Sequence, residues 1–225
     1  MDSRIRVFTG HFGSGKTEIS INYALKLADA GKKVCIADLD VVNPYFCTRD
    51  EKEFIESKGI RVIATPKEMS NAELGTIPLE TLAVFNDKSY DVVLDVGGDD
   101  MGAVALGQYN RFFKEEDYDM YCVVNTNRPF TSDADGVVEF ARDIERASRL
   151  KIKYLVHNTN LSYETKIEDI IKGQEIIKEA SERLNIPVKY TTVRDDLVDK
   201  LPEGMLGEIF PLRIFMLPPW NRDLE

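Results

Sequence analysis

The chain has 225 residues, 43% of them hydrophobic, with a formal net charge of −10 and a pI near 4.9. This length suffices for one sizeable α/β core and is short for two complete domains. The acidic balance argues against broad binding to nucleic acid or anionic lipid, because the protein's own field repels phosphate. No apolar run approaches the ~20 residues of a membrane span, and three cysteines without CxxC spacing indicate a reducing compartment. We therefore expect a cytoplasmic protein with no nucleic-acid or membrane partner.

The strongest signal is a glycine-rich loop between the first predicted strand, residues 4–8, and a predicted helix over residues 18–28. The loop matches the phosphate-binding pattern G-x-x-x-x-G-K-[ST] at every required position. Its glycines allow backbone N–H groups to approach an anion closely. Lys16 is expected to contact the β- and γ-phosphates, and Thr17 to ligate Mg²⁺. A nucleoside triphosphate site is therefore predicted, rather than a chance Gly/Ser turn, with these loop residues as candidate ligands: Gly10, His11, Phe12, Gly13, Ser14, Gly15, Lys16 and Thr17.

Two acids follow the second predicted strand, residues 34–37. Asp38 and Asp40 alternate with Leu39, so an extended chain points both carboxylates to one side. Dinucleotide-binding folds also place an acid about twenty residues past their glycine loop, but the loop here lacks the G-x-G-x-x-G spacing. We expect the pair to organise Mg²⁺ and its water, with Asp40 contacting the attacking water. A cap at the strand end is the alternative.

A third acid, Asp95, ends the apolar run 92–94 and is followed by Gly97 and Gly98. An acid in this position is the usual second element of an NTPase site, holding Mg²⁺ directly or through a water. The two glycines and Asp99 predict a flexible turn whose N–H groups sense the γ-phosphate, as switch loops do. A strand cap is again the alternative. The candidate catalytic residues are Lys16, Asp40 and Asp95, and the candidate metal ligands are Thr17, Asp38, Asp40 and Asp95.

The rest of the chain alternates short apolar runs with helical stretches. Strands are predicted at residues 60–64, 120–124, 153–156 and 188–191, and helices around residues 133–149 and 164–184. Near-continuous apolar strands are typical of a sheet covered on both faces. The pattern predicts an α/β fold, a doubly wound and mostly parallel sheet in a three-layer α/β/α arrangement of the P-loop NTPase type.

We expect a single nucleotide-binding domain over residues 1–225, because no linker or repeat interrupts the pattern. Residues 204–225 are interpreted as a packed C-terminal covering segment, with an exposed partner-binding flap as the alternative. The turn at residues 43–46 exposes two aromatic side chains and is either a substrate or partner surface or packing against the next helix. Arg49 and Arg128 are expected to form surface salt bridges, with a position near the phosphates as the alternative for each. Arg49 and residues 43–46 are also the candidates for a second pocket near the γ-phosphate.

Taken together, these residues resemble the MinD/ParA-type ATPases, SIMIBI-class P-loop proteins of the CobQ/CobB/MinD/ParA nucleotide-binding domain family. The resemblance rests on residues 10–17, on the strand end 38–40 and on Asp95 with its glycines, and extends through residues 127–135 and 156–158 to about residue 195. It implies an ATPase fold that uses ATP and Mg²⁺. It also implies that Asn158 lies where the family reads the adenine base.

Two departures from that family matter. Its extra lysine, which reaches the partner subunit's nucleotide, stands directly after the first glycine of the loop, where this chain has His11. A dimer therefore does not form through a signature lysine. Membrane-binding members end in a basic amphipathic helix, whereas residues 220–225 here are acidic.

The base is predicted to be adenine. Guanine-specific P-loop proteins carry an acid at the fourth position of Asn-Lys-x-Asp, and residues 158–161 lack it. Asp195 or Asp196 remains a candidate to meet the base from another loop.

The leading hypothesis is a slow, Mg²⁺-dependent ATPase that acts as a nucleotide switch or loader for a partner protein, with residues 95–99 as the switch. One alternative is a phosphotransferase or ATP-dependent ligase acting on a small acid, which needs a second pocket near the γ-phosphate. The other is a nucleotide-binding scaffold with negligible turnover, for which His11 is the motivating feature.

Overall fold

A computed structural model describes residues 3–40, 47–64, 79–98 and 100–216. Within them, one parallel sheet contains eight strands. The strands are β1 (Ile5–Thr9), β2 (Val34–Asp38), β3 (Arg61–Ile63), β4 (Asp91–Asp95), β5 (Tyr118–Val124), β6 (Tyr154–His157), β7 (Val188–Arg194) and β8 (Glu208–Leu212). Their order in the sheet is β3-β2-β4-β1-β5-β6-β7-β8.

Helices cover both faces of this sheet. They are α1 (Lys16–Asp29), α2 (Lys52–Ser57), α3 (Leu79–Asn86), α4 (Asp100–Gln108), α5 (Asn110–Glu115), α6 (Ala134–Ser148) and α7 (Ile167–Leu184), with 3₁₀ turns at Thr48–Glu51, Pro129–Thr131 and Asp195–Lys200. One apolar core packs the sheet against α3 to α7, and a second, rich in aromatic rings, packs the other face against α1 and α2. The predicted three-layer α/β/α fold is confirmed. None of the described helices is long and apolar enough to cross a bilayer.

Strand order explains why distant motifs meet. β1 lies between β4 and β5, and β2 pairs with β4 on the far side, so the order reverses around β1. In such sheets ligands bind beyond the carboxyl ends of the strands at the reversal. Asp38 and Asp95 are register partners, as are Phe8 and Asp95. The glycine loop after β1 and the acids ending β2 and β4 therefore share one edge of the sheet.

The C-terminal segment differs from the expectation. Part of the predicted covering segment, Glu208–Leu212, is an eighth strand that pairs in parallel with β7. Pro211 lies inside it, which an edge strand tolerates because one row of its N–H groups is unpaired. Residues 213–216 continue past α1, and residues 217–225 lie outside the described residues. The sheet is thus one strand wider than predicted.

Candidate functional site

The glycine loop between β1 and α1 is a tight turn in which positions 13 and 15 accept only glycine. Ser14 N donates to His11 O at 2.9 Å, and Gly13 and Gly15 have φ values of 74° and 87°. A Cβ at Gly15 would lie 2.2 Å from Asn158 Nδ2, and one at Gly13 would lie 2.7 Å from Arg128 Nε. Positive φ and close contact thus both require glycine at these two positions. Gly15 caps α1, so the helix begins at Lys16 and its N-terminal N–H groups lie in the loop.

The loop is held from behind by side chains that follow β5 and β6. Asn125 Nδ2 and Arg128 Nε donate to Gly13 O at 3.2 and 3.0 Å, and Asn158 Nδ2 donates to Ser14 O at 2.6 Å. The C=O and N–H of one planar peptide point in opposite directions. The Gly15 N–H therefore points away from Asn158, as an anion cradle requires.

Arg128 thus contacts the phosphate-binding loop, which was the alternative to the surface salt bridge expected for it. Asn125 was not recognised from the sequence. Its only signal was a polar residue directly after the apolar run 120–124.

Lys16 and Asp40 form a buried ion pair inside the loop. Lys16 Nζ lies 2.9 Å from Asp40 Oδ2, and the two side chains are 6% and 7% exposed. Burial lowers the pKa of Lys16, but Asp40, Asp95 and Asp38 together outweigh it and raise the pKa above its usual value. The lysine therefore carries its charge at neutral pH, facing three acids.

Asp38 and Asp95 lie side by side with unsatisfied oxygens. Both are fully buried, and Asp38 Oδ2 and Asp95 Oδ1 have no hydrogen-bond partner. Burial first, and repulsion from Asp95 second, raise the pKa of Asp38 to about 7, while Arg49 opposes the shift. Burial likewise raises the pKa of Asp95, opposed by Lys16. Two carboxyl groups in this position repel each other unless a proton or cation intervenes.

The other oxygens of this pair are fixed by neighbouring groups. Asp38 Oδ1 accepts the Asp40 N–H at 3.1 Å, and Asp95 Oδ2 accepts the Thr48 hydroxyl at 2.9 Å. Thr48 belongs to the 3₁₀ turn before α2 and is fully buried. Arg49, expected in a surface salt bridge, is only partly exposed and donates to Cys47 Sγ at 3.0 Å, beside Asp38. Thr48 was not assigned this position from the sequence, whereas a position near the phosphates was the alternative given for Arg49.

The donor set suits Mg²⁺ bound together with phosphate. Across the described ranges no group of three or more His, Cys, Asp and Glu side chains is arranged to hold a cation alone. Mg²⁺ prefers hard oxygen ligands and is commonly held by one or two carboxylates plus substrate phosphates. The unpaired oxygens of Asp38 and Asp95 fit that description, together with the neighbouring Thr17 hydroxyl, which acts to lower the pKa of Asp95.

The turn after β4 contacts the loop directly. A Cβ at Gly98 would lie 1.8 Å from Gly10 O. Gly97 and Gly98 were predicted to sense phosphate, and the structure places Gly98 against the first glycine of the loop. Asp99 and the turn at residues 43–46 lie outside the described residues.

A cavity of about 290 Å³ extends from the loop toward the ends of β6, β7 and β8. It is lined by Gly13, Gly15, Lys16 and Thr17 of the loop, and also by Asn158, Asn160, Thr192, Arg194, Ile214 and Met216. Asn158 Oδ1 accepts from the Thr192 hydroxyl at 2.6 Å. One N–H of the Asn158 amide goes to the loop, and the amide has a second. Five of the predicted binding residues do not line the cavity: Gly10, His11, Ser14, Gly97 and Gly98.

The acids after β7 do not line this cavity. Arg194 forms a two-pronged ion pair with Asp196 and donates to Ser162 O at 3.0 Å. Neither Asp195 nor Asp196 is among the lining residues. Among the described residues, the one acid that lines the cavity is Glu18, in the first turn of α1. Burial raises its pKa to about 7, and the N–H groups of Phe215 and Met216 oppose this shift.

Aromatic side chains surround the outer part of the loop. The His11 ring packs on Phe130 with centroids 4.8 Å apart and edge-on against Phe140 at 5.7 Å. Phe12 and Phe130 are 65% and 69% exposed. His11 therefore packs within its own chain.

Comparison with known proteins agrees with this geometry. The family model described as the CobQ/CobB/MinD/ParA nucleotide binding domain matches residues 6–191. The chain is similar in structure to the cell division protein FtsY of Thermotoga maritima, with a TM-score of 0.61 and 19% identity over 85% of this chain and 62% of that chain. It is also similar to the signal recognition particle receptor FtsY of Elizabethkingia anophelis in complex with GDP, with a TM-score of 0.57 and 16% identity over 86% of this chain and 58% of that chain.

The chain spans about three fifths of the length of these structures. At such identities the likeness concerns the fold alone. No curated protein matches the chain.

Proposed function

We propose that this chain, which belongs to the CobQ/CobB/MinD/ParA nucleotide-binding domain family, is a slow Mg²⁺-dependent ATPase that acts as a nucleotide switch or loader for a partner protein. One observation carries the proposal. A charged lysine, paired with Asp40 at 2.9 Å, lies in a glycine cradle beside two buried acids that each keep an oxygen without a partner. In the free protein the two buried carboxyl groups repel each other and each has an oxygen without a hydrogen-bond partner. A bound polyphosphate with its cation would supply the missing positive charge and the ligand for these oxygens.

Three residues are assigned to the metal. The Thr17 hydroxyl and the unpaired oxygens of Asp38 and Asp95 would hold Mg²⁺, directly or through water. When bound, the ion neutralises charge that develops on the transferred phosphoryl group. Asp95 is proposed to make the direct contact, because the Thr48 hydroxyl fixes one oxygen of its carboxylate and leaves the other without a partner.

Lys16 and Asp40 are proposed to exchange partners on binding. The ammonium group leaves Asp40 for the β- and γ-phosphate oxygens, which become its new anions. The Asp40 carboxylate is proposed to orient a water and accept its proton. The water oxygen attacks the γ-phosphorus, the bond to the β–γ bridging oxygen breaks, and ADP and inorganic phosphate leave.

A switch is proposed in the turn after β4 and the 3₁₀ turn after β2. Gly98 contacts Gly10 of the loop, and Thr48 donates to Asp95. Loss of the γ-phosphate is therefore proposed to shift both turns, one through the contact of Gly98 with Gly10 and the other through the hydrogen bond from Thr48 to Asp95. A partner protein that reads these turns distinguishes the ATP form from the ADP form.

ATP is the proposed nucleotide, and GTP is its competitor. Guanine recognition in P-loop proteins depends on a carboxylate that accepts from N1 and N2. Asn158 and Asn160 are the amide side chains that line the cavity. Among the described residues Glu18 is the one lining acid, and it accepts the Phe215 and Met216 N–H groups. A similar structure is described with GDP, at 16% identity, so the phosphate-release assay uses GTP as well as ATP.

The proposed setting is the cytoplasm, without nucleic-acid or membrane partners. The net charge of −10 supports this, because it repels polyanionic surfaces. Any dimer is proposed to form without a lysine reaching across, since His11 occupies that position and packs on Phe130 and Phe140.

Steady-state phosphate release tests the proposal. Wild type, Lys16→Ala and the matched surface variant Lys172→Ala are assayed with ATP or GTP, with and without Mg²⁺. We expect Mg²⁺-dependent release from ATP by wild type and Lys172→Ala, and a loss of at least about tenfold in Lys16→Ala. Equal release by wild type and Lys16→Ala refutes it.

The same assay separates the alternatives. ATP consumption that rises only with an added small acid, together with a phosphorylated or ligated product, indicates the phosphotransferase or ligase. Nucleotide binding without release indicates the scaffold.

A further inference from the structure

After β8 the chain runs alongside the start of α1, and residues 213–216 form what we call the strap. Two side chains of α1 hold its backbone. Arg213 N donates to Asn22 Oδ1 at 3.0 Å, and Asn22 Nδ2 donates to Arg213 O at 2.9 Å. Phe215 N and Met216 N donate to the two oxygens of Glu18 at 2.7 and 3.1 Å. The side chains thus bind the strap as a neighbouring strand would.

The positions of Glu18 and Asn22 on α1 allow both side chains to hold the strap. Glu18 and Asn22 are four residues apart and therefore lie on one face of the helix. They are 9% and 8% exposed, and Asn22 Nδ2 also donates to Glu18 O at 2.8 Å. A buried carboxylate is costly unless hydrogen-bonded, so its pairing with two backbone N–H groups is a specific arrangement.

The strap also has a defined inner face. Ile214 and Met216 line the cavity, while the Phe215 ring packs on Phe54 of α2 with centroids 5.2 Å apart. The same cavity is lined by Lys16 and Thr17 of the glycine loop, by Asn158 and by the strap. A ligand that fills this cavity with its phosphates in the glycine loop therefore contacts the strap with its remaining atoms.

We propose that the strap is the wall that recognises the nucleoside, and that Glu18 and Asn22 are positioning residues that hold it there. A nucleoside has flat apolar faces and a polar edge. Ile214 and Met216 offer an apolar surface that adapts to such a face, and the Asn158 amide offers hydrogen bonds to an edge. The inference rests on the proposed function, but it concerns the nucleoside half of the ligand and not its phosphates.

The test compares ATP with inorganic tripolyphosphate, which carries the phosphates without the nucleoside. Binding of each is measured by titration calorimetry with Mg²⁺ for wild type, Glu18→Gln and Asn22→Ala. In Glu18→Gln an NH2 group replaces one carboxylate oxygen and cannot accept a hydrogen bond from a backbone N–H. One of the two hydrogen bonds from Phe215 N and Met216 N is therefore lost. We expect ATP affinity to fall about tenfold in both variants, the equivalent of one or two hydrogen bonds, while tripolyphosphate affinity stays within twofold.

Two further variants keep the test decisive. Glu175→Gln, on the exposed side of α7, is the matched control and should bind both ligands as wild type does. Ile214→Ala removes part of the apolar wall and leaves every strap hydrogen bond in place. Its ATP affinity therefore tests the inference even if Glu18→Gln fails to fold. It should lose ATP affinity selectively.

Three results overturn the inference. Equal losses of ATP and tripolyphosphate affinity would place the effect in the glycine loop, and unchanged ATP affinity in all strap variants would remove the strap from recognition. A wild type that binds ATP and tripolyphosphate equally well contradicts the inference alone. A wild type that binds neither contradicts it together with the proposed function.

Discussion

Replacing Asp38 by asparagine should stabilise the free protein while it impairs function. Burial and the neighbouring Asp95 raise the pKa of Asp38 from 3.8 to about 7. A carboxyl group whose pKa is higher in the folded state contributes its full stability below pH 3.8, where it is protonated in both states. That stability is lost as the pH rises through about 7. Asparagine keeps an oxygen for the Asp40 N–H and removes the charge.

The expected size follows from the shift. At 1.36 kcal/mol per pKa unit the full effect is about 4 kcal/mol above pH 7, and about 1.5 kcal/mol at pH 5. Relaxation around the site reduces it, so we expect Asp38→Asn to gain about 2 to 4 kcal/mol of unfolding free energy at pH 8 and clearly less at pH 5.

Urea unfolding in metal-free, nucleotide-free buffer at the two pH values measures this gain. Asp117→Asn, at an exposed acid before β5, is the matched control and should change stability by less than about 0.5 kcal/mol. Adding Mg²⁺ and ATP should stabilise wild type more than Asp38→Asn, because only wild type keeps both acids for the ion. A less stable Asp38→Asn at pH 8, or a gain that does not depend on pH, refutes the reasoning.

Three further predictions concern contacts around the site and the sheet. Gly98→Ala places a Cβ 1.8 Å from Gly10 O and must displace the loop by more than an ångström, so we expect about a hundredfold loss of ATP turnover. Gly107→Ala, whose Cβ would meet nothing closer than 3.9 Å, should keep wild-type activity, and equal activities would refute the contact. Thr48→Val removes the hydroxyl that donates to Asp95 and should lower the free energy of unfolding by about 1–3 kcal/mol, with turnover falling more than ATP affinity; an unchanged turnover contradicts this. Glu116, hydrogen-bonded by Arg4 and Lys88, has its pKa lowered to about 2, so it stabilises the fold above pH 4.5 and this is lost as the pH falls toward 2. Glu116→Gln should therefore cost about 1–3 kcal/mol at pH 7 and progressively less below pH 4.5 in urea unfolding, and a pH-independent difference speaks against the ion pairs.

Local motifs were readable from the sequence because they depend on neighbouring residues. The order strand, glycine loop and helix around residues 10–17 is a property of one contiguous stretch, and it predicted both the fold class and the loop. The strands over residues 34–37 and 92–94 were equally clear from their apolar runs. Each carried its acid at the carboxyl end, which was sufficient to nominate Asp38 and Asp95.

Contacts between distant segments were not readable in this way. The register of Asp38 with Asp95 depends on β2 and β4 being neighbours, which no local pattern states. The supports Asn125 and Thr48 act across 112 and 47 residues of sequence. β8 was missed because Pro211 and the later prolines suggested an irregular covering segment, whereas an edge strand accommodates such a residue.

The central claim is that the glycine loop and its neighbouring acids bind a nucleoside triphosphate with Mg²⁺. Titration calorimetry of the wild-type chain with ATP, with and without Mg²⁺, tests this most directly. The account predicts saturable, Mg²⁺-enhanced binding that Lys16→Ala weakens at least about tenfold. Absence of binding heat for both ATP and GTP at millimolar concentrations, in a protein that melts cooperatively, would contradict it.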